Sequence, residues 1–153
     1  MRNEAAIQYA ERAWRRADLE RLARIESQAG SSSWSADVLR QHLEHPSSRT
    51  RVVTAADAPD DPIAFYVLYS DVVSVYVANI AVDPAWRRRG VATFALQQIE
   101  AWSRRRQLPF IELHVREENL PAQLLYKKNG FVAVEIVRKH YSSVDGYAMR
   151  KSL

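Results

Sequence analysis

Apolar and polar positions follow two rhythms along the chain, a period of two and a period near three and a half, and the switches between them mark the elements. Ile7 and Tyr9 with their alternating neighbours predict a short first strand. Leu19, Leu22, Ala23 and Ile25 then recur at helical spacing. They predict a helix over Asp18–Gln28, capped by Asp18 and broken by Gly30 and the three serines after it. Ser35-Ala36-Asp37 opens a second helix that runs to about His45 and stops at Pro46. Arg51–Ala55 is a predicted strand, and Asp57–Pro62 is a turn rich in Asp and Pro. Ile63–Tyr69 and Val72–Val82 are β-branched and aromatic runs, which predict an antiparallel pair joined near Ser70-Asp71.

The second half repeats the alternation of strand and helix. Val91, Phe94, Ala95, Ile99 and Trp102 lie on one helical face, and Phe110–Val115 is a strand. Asn119–Asn129 is a helix with Asn119 as N-cap, Pro121 in its first turn and Gly130 as its stop. Phe131–Val137 and Tyr147–Arg150 close a sheet. The order β-α-α-β-β-β-α-β-α-β-β, without repeat or linker, predicts one α+β domain over residues 1–153.

The central turn carries candidate chemistry. Asp83-Pro84 ends a strand, because proline has no N–H for the ladder. Three arginines and Gly90 lead directly into the next helix. Such a turn leaves free N–H groups at the positive end of the helix dipole, and glycine lets the backbone approach a bulky anion. A phosphate or pyrophosphate fits there, although an arginine-rich helix start is also read as a solvated face.

Composition narrows the class. Of 153 residues, 47% are apolar and 26% charged, ordinary proportions for a globular protein. No apolar run approaches the ~20 residues that span a bilayer, and the N-terminus lacks the apolar core of a signal peptide, so a cytoplasmic protein without a membrane partner is expected. The absence of cysteine excludes a disulfide and a thiolate nucleophile or metal site. His42, His45 and His140 show no metal-ligand spacing, so no metal is expected. A net charge of +4 invites anionic ligands. Six of the arginines cluster as Arg87–Arg89 and Arg104–Arg106 at the ends of one helix rather than along a stripe, which speaks against nucleic-acid binding.

Two signatures carry a family resemblance. Arg87-x-x-Gly90-x-Ala92 resembles motif A of the GNAT superfamily of acetyl-CoA-dependent N-acetyltransferases. Leu113-His114-Val115, Asn119, Ala122 and Leu125-Tyr126-Lys127-Lys128-Asn129-Gly130-Phe131 resemble that family's later motif. The tail, with Arg138-Lys139-His140-Tyr141 and Gly146-Tyr147-Ala148-Met149, and the Trp34-Ser35 pair resemble RimI-type enzymes, which acetylate a protein N-terminal amine and are classed with ribosomal-protein alanine acetyltransferases.

The resemblance implies a GNAT fold, a mixed and mostly antiparallel sheet flanked by helices, with acetyl-CoA as co-substrate. It implies that backbone groups of Ile80, Ala81 and Val82 hold the pantetheine arm. Arg87, Arg88, Arg89, Gly90, Val91, Ala92 and Thr93 would cradle the pyrophosphate, Asn119 would touch the cofactor near the thioester, and Tyr126 would stand beside the sulfur. Trp34 and Tyr141 are the implied contacts to the acceptor. His114 occupies the place of the RimI catalytic glutamate. Leu-His-Val is similar to NatE-type enzymes, which pair that histidine with a tyrosine matched here by Tyr76. Glu112, on the same strand face as His114, is the alternative base or a group that orients the imidazole.

The chemistry suits these residue types. A protein α-amine, with pKa near 8, is partly neutral at pH 7, so a base near pKa 7 suffices, and an imidazole has that value unperturbed. The Val82 N–H would hold the thioester oxygen, and Tyr126 would protonate the leaving thiolate. The expected function is acetyl transfer to the N-terminal amine of a protein, a ribosomal protein among the candidates. The alternatives are acetylation of a small amine or lysine side chain, and a non-catalytic acyl-CoA-binding module.

Overall fold

The structure, a computed structural model, describes residues 6–30, 33–141 and 144–153, and the side chains of 139–141 and 144 lie outside that description. The elements are β1 (Tyr9–Ala13), α1 (Leu19–Ser27), α2 (Ala36–Glu44), β2 (Arg49–Ala55), β3 (Pro62–Ser70), β4 (Ser74–Val82), α3 (Val91–Arg105), β5 (Phe110–Arg116), α4 (Leu120–Lys128), β6 (Val132–Tyr141) and β7 (Val144–Ser152). Seven strands form one sheet in the order β1-β2-β3-β4-β5-β7-β6. Every neighbouring pair is antiparallel except β4 and β5. The chain therefore has the α+β class and the element order that its periodicities predict.

The sheet buries both faces. Tyr66, Leu68, Val75 and Val77 pack with Val91, Ala95 and Ile99 of α3 and with Tyr126 of α4. Val52, Phe65, Val67 and Ala81 pack on the other face against Leu22 and Ile25 of α1 and Leu39 and Leu43 of α2. A central strand covered on both sides reads as a continuous apolar run, and Ile63 to Leu68 are all at most 1% exposed.

Four local expectations shift. Ile7 is half exposed and outside β1, which begins at Tyr9. Asp18 does not cap α1 with its side chain. Its carboxylate accepts from the Arg15 N–H (2.7 Å) and from Arg12 Nη1 and Nη2 (2.8 and 2.9 Å), closing a 3₁₀ turn over Arg16–Asp18. Val72 and Val73 belong to a turn rather than β4, because Asp71 Oδ1 accepts the N–H groups of Val73 and Ser74, both at 2.8 Å. The last two strands extend further than their apolar residues, since β6 and β7 pair with one another almost to the hairpin.

One irregularity shapes the rest. Leu68 pairs with Val77 and Val67 with Asn79, so Ala78 is an extra residue in β4. This β-bulge sharpens the local twist. Parallel pairing between β4 and β5 covers only Ser74–Val77 with Phe110–Leu113. Past that point β4 continues along β3 to Val82, and β5 continues along β7 to Arg116. The two central strands therefore part in the middle of the sheet.

Candidate active site

A cleft of about 680 Å³ opens where β4 and β5 separate. Tyr76, Ile80, His114, Asn119, Tyr126 and Trp34 all line it. Six residues singled out from sequence, on β4, β5, α4, its N-cap and the loop before α2, thus meet in one place.

Tyr76 on β4 and His114 on β5 face each other across the end of the parallel pairing, with Tyr76 Oη 3.3 Å from His114 Nδ1 and the rings edge to face. Burial pushes the Tyr76 phenol above its ordinary pKa, so it keeps its proton at neutral pH. Tyr126 lies in the last half of α4, 8% exposed, with its ring against Phe131. That helix is well terminated: Asn119 Oδ1 accepts the Ala122 N–H at 3.2 Å, and Gly130 takes φ +92°, where a Cβ would also press on the Lys151 side chain at 3.2 Å. Asn119 is both the cap and part of the cleft wall.

Backbone polarity in β4 follows from the ladder. The Asp83 N–H donates to Ile63 O at 2.8 Å, and alternation in an antiparallel pair turns the N–H groups of Val82 and Ile80 away from β3, towards the opening. Ile80 lines the cleft; Ala81 is buried against the α1–α2 face.

The anion turn is separate from the cleft. Gly90 sits at φ +78°, and α3 begins with no side-chain cap on its first N–H groups. A Cβ at Gly90 would meet nothing within 4 Å, so the turn faces open space. Arg88, Arg89 and Gly90 are exposed, and Tyr9 Oη fixes the loop by donating to Arg89 O at 2.6 Å. These features fit a diphosphate group. Arg87 departs from its expected role: its guanidinium donates to Gln28 O at 3.0 Å, tying the turn to the end of α1.

Glu112 departs too. It shares a strand face with His114, but β7 brings Arg150 opposite it, and Arg150 Nε donates to Glu112 Oε1 at 2.8 Å. It is not part of the cleft lining. Trp34 stacks on His42 with ring centroids 4.0 Å apart, and His42 Nδ1 lies 2.7 Å from Tyr69 Oη. Burial, with help from His45, lowers the His42 pKa, so this wall of the cleft is aromatic and neutral. The Tyr141 side chain falls outside the described residues.

Sequence reasoning missed Glu26, Asn79, His42 and Tyr69 as cleft residues. Glu26 is only 2% exposed; its oxygens accept the Trp34 N–H (3.0 Å) and the Asn79 amide (2.6 Å). Burial raises its pKa, and those two hydrogen bonds oppose the rise. A carboxylate one helical turn after Leu22, on an otherwise apolar stripe, is the signal that was there to find.

Comparison with known proteins bears on the family and the fold. A family model described as the acetyltransferase (GNAT) family matches residues 4–131. The [ribosomal protein bS18]-alanine N-acetyltransferase of Haemophilus ducreyi is 30% identical over 84% of this chain and 86% of its own. The N-alpha-acetyltransferase RimI of Mycobacterium tuberculosis is 28% identical over 89% and 87% respectively. The crystal structure of the Escherichia coli ribosomal-protein-S18-alanine N-acetyltransferase superposes with a TM-score of 0.84 at 23% identity, covering 95% of this chain and 94% of that one, a likeness of fold.

Proposed function

The chain belongs to the acetyltransferase (GNAT) family, and we propose that it transfers the acetyl group of acetyl-CoA to the N-terminal α-amine of a protein. The observation that carries this reading is the Tyr76–His114 contact in one cleft with Tyr126 and Ile80. The similarity to N-terminal acetyltransferases over most of the chain supports the acceptor class, and a ribosomal protein is the first acceptor to test. A cytoplasmic location goes with this reading; among the described residues no helix is long and apolar enough to cross a membrane.

Acetyl-CoA, when bound, supplies an activated thioester whose carbonyl carbon accepts the amine. The first N–H groups of α3, with Gly90 and the exposed Arg88 and Arg89, hold the diphosphate. The Ile80 N–H takes the carbonyl oxygen; Ile80 displaces Val82 in this role because it lines the cleft. His114 accepts the proton leaving the amine, directly or through one water. For Nε2 to accept it, the imidazole carries its own proton on Nδ1 and donates it to Tyr76 Oη. Tyr126 donates its phenol proton to the sulfur as the C–S bond breaks and the C–N bond forms, and solvent restores that proton. The neutral aromatic wall of Trp34, His42 and Tyr69 receives the first residues of the acceptor.

The test is release of CoA thiol with a panel of acceptors: peptides with free Ala, Ser or Met N-termini, acetyl-blocked peptides with an internal lysine, and polyamines. Mass spectrometry locates the acetyl group. Modification confined to free N-termini is expected; turnover only on lysine or polyamines overturns the acceptor class.

A further inference from the structure

Two carboxylates line the cleft that the proposed chemistry does not use: Glu118, exposed and paired with Arg116, and Glu26, which is buried. Glu26 is 2% exposed on α1, and each of its oxygens accepts a separate donor. One donor is the backbone of Trp34, in the loop before α2 that forms the acceptor wall. The other is the side chain of Asn79, between the bulge residue Ala78 and Ile80. Burying a carboxylate to close an apolar stripe is costly, and leucine would pack α1 at no such cost. What the carboxylate provides is two acceptor sites aimed at two different elements.

We infer that Glu26 is a positioning residue, a clamp that holds the acceptor wall at a fixed distance and rotation from the strand segment presenting the Ile80 N–H. Asn79 pairs with Val67 and directs its side chain to the α1 face, while Ile80, next along the strand, turns its N–H to the cleft. Fixing the Asn79 side chain therefore fixes the rotation of β4 just past its bulge, where no β5 partner restrains it. Through the Trp34 N–H the same carboxylate sets the Trp34–His42 stack relative to that strand. The clamp rests on the acetyl-transfer reading of this cleft. It governs how the amine meets the carbonyl, not how acetyl-CoA is held.

Hydrogen-bond polarity gives a discriminating test. In Glu26→Ala both donors lose their acceptor, and acceptor kcat/KM falls by about tenfold or more. In Glu26→Gln the new amide accepts from Trp34 and donates to Asn79 once the Asn79 amide flips, so activity stays within about threefold of wild type. Asn79→Asp sets two carboxylates face to face and loses about tenfold or more. Glu26→Gln combined with Asn79→Asp restores a donor–acceptor pair and returns to within about threefold of wild type. Throughout, the acetyl-CoA Kd stays near wild type at a temperature where every variant is folded, and the Trp34 amide loses hydrogen-exchange protection in Glu26→Ala alone. An Asn79→Asp variant as active as wild type, a double variant no better than it, or an unchanged Trp34 amide in Glu26→Ala overturns the clamp. Absence of turnover by the wild-type protein strikes instead at the acetyl-transfer reading, and the Trp34 amide still decides whether the clamp exists.

Discussion

Replacing Tyr76 and His114 singly and together separates a base held by its neighbour from two independent catalytic groups. The 3.3 Å separation between Tyr76 Oη and His114 Nδ1 lies beyond the usual range for a strong N–H···O bond. Tyr76→Phe removes that contact and keeps the ring that packs against the imidazole. The loss is about 1 kcal/mol, or roughly fivefold in kcat/KM, at the low end for a half-buried polar pair. His114→Ala removes the base and costs about 100-fold or more. If Tyr76 acts only by fixing the tautomer of His114, the double variant is no slower than His114→Ala. If each acts on the substrate separately, the losses multiply to about 500-fold. Release of CoA thiol at saturating acetyl-CoA, followed from about pH 5 to 9, supplies both numbers. The pH dependence adds a second check. Amine and base must both be unprotonated, so log kcat/KM rises with a slope of about two below both pKa values. Without the base only the amine titrates, and the slope falls to about one. A multiplicative double variant, or a slope unchanged in His114→Ala, refutes the pairing.

Tyr126→Phe lowers kcat by about 100-fold or more while the acetyl-CoA Kd measured by titration stays the same; a parallel loss of affinity marks Tyr126 as a packing residue. Gly90→Ala forces a side chain into φ +78° and costs about 1–2 kcal/mol by denaturant melt, with weaker acetyl-CoA binding. Arg87→Ala reduces stability and leaves acetyl-CoA affinity close to wild type, whereas Arg88→Ala with Arg89→Ala does the reverse, since only Arg87 is tied to α1. Asp18→Asn leaves Arg12 without its counter-charge and costs roughly 3 kcal/mol at pH 7. Burial alone would raise the Asp18 pKa, but Arg12 and the Arg15 N–H outweigh it and lower the value. Its stabilisation is therefore complete above the unfolded carboxylate value near 3.9 and is lost as pH falls through the lower folded value, so the variant shows a flatter acid-unfolding profile.

The sequence was most readable where one period rules a whole element. The helical face of α3 and the doubly buried run of β3 announce themselves because their contacts repeat at fixed spacing, and the caps at Ser35 and Asn119 accept the N–H groups that their positions call for. Proximity set by a short local frame was equally readable: His114, Asn119 and Tyr126 lie on one strand–turn–helix unit, and folding brings them to one cleft.

What escaped notice depends on pairings between distant segments. Glu112 does share a face with His114, but its partner Arg150 arrives only when β7 pairs with β5, and no local spacing encodes that register. Arg87 resembles its two neighbours in every local respect, yet only its guanidinium reaches the end of α1, 59 residues away in sequence. The bulge at Ala78 is hidden for a related reason. Tyr76-Val77-Ala78-Asn79-Ile80 reads as ordinary strand, and the extra residue exists only in relation to β3. That hidden residue has the widest consequence. It adds twist to β4 at the point where pairing with β5 stops, and the gap between the strands is where the proposed reaction brings amine and thioester together. On the proposed chemistry the local motifs supply the reacting groups, and a defect in long-range pairing supplies the space between them. A glutamate from the opposite layer then restrains the stretch of β4 that pairs with β3 but has no partner on its β5 side.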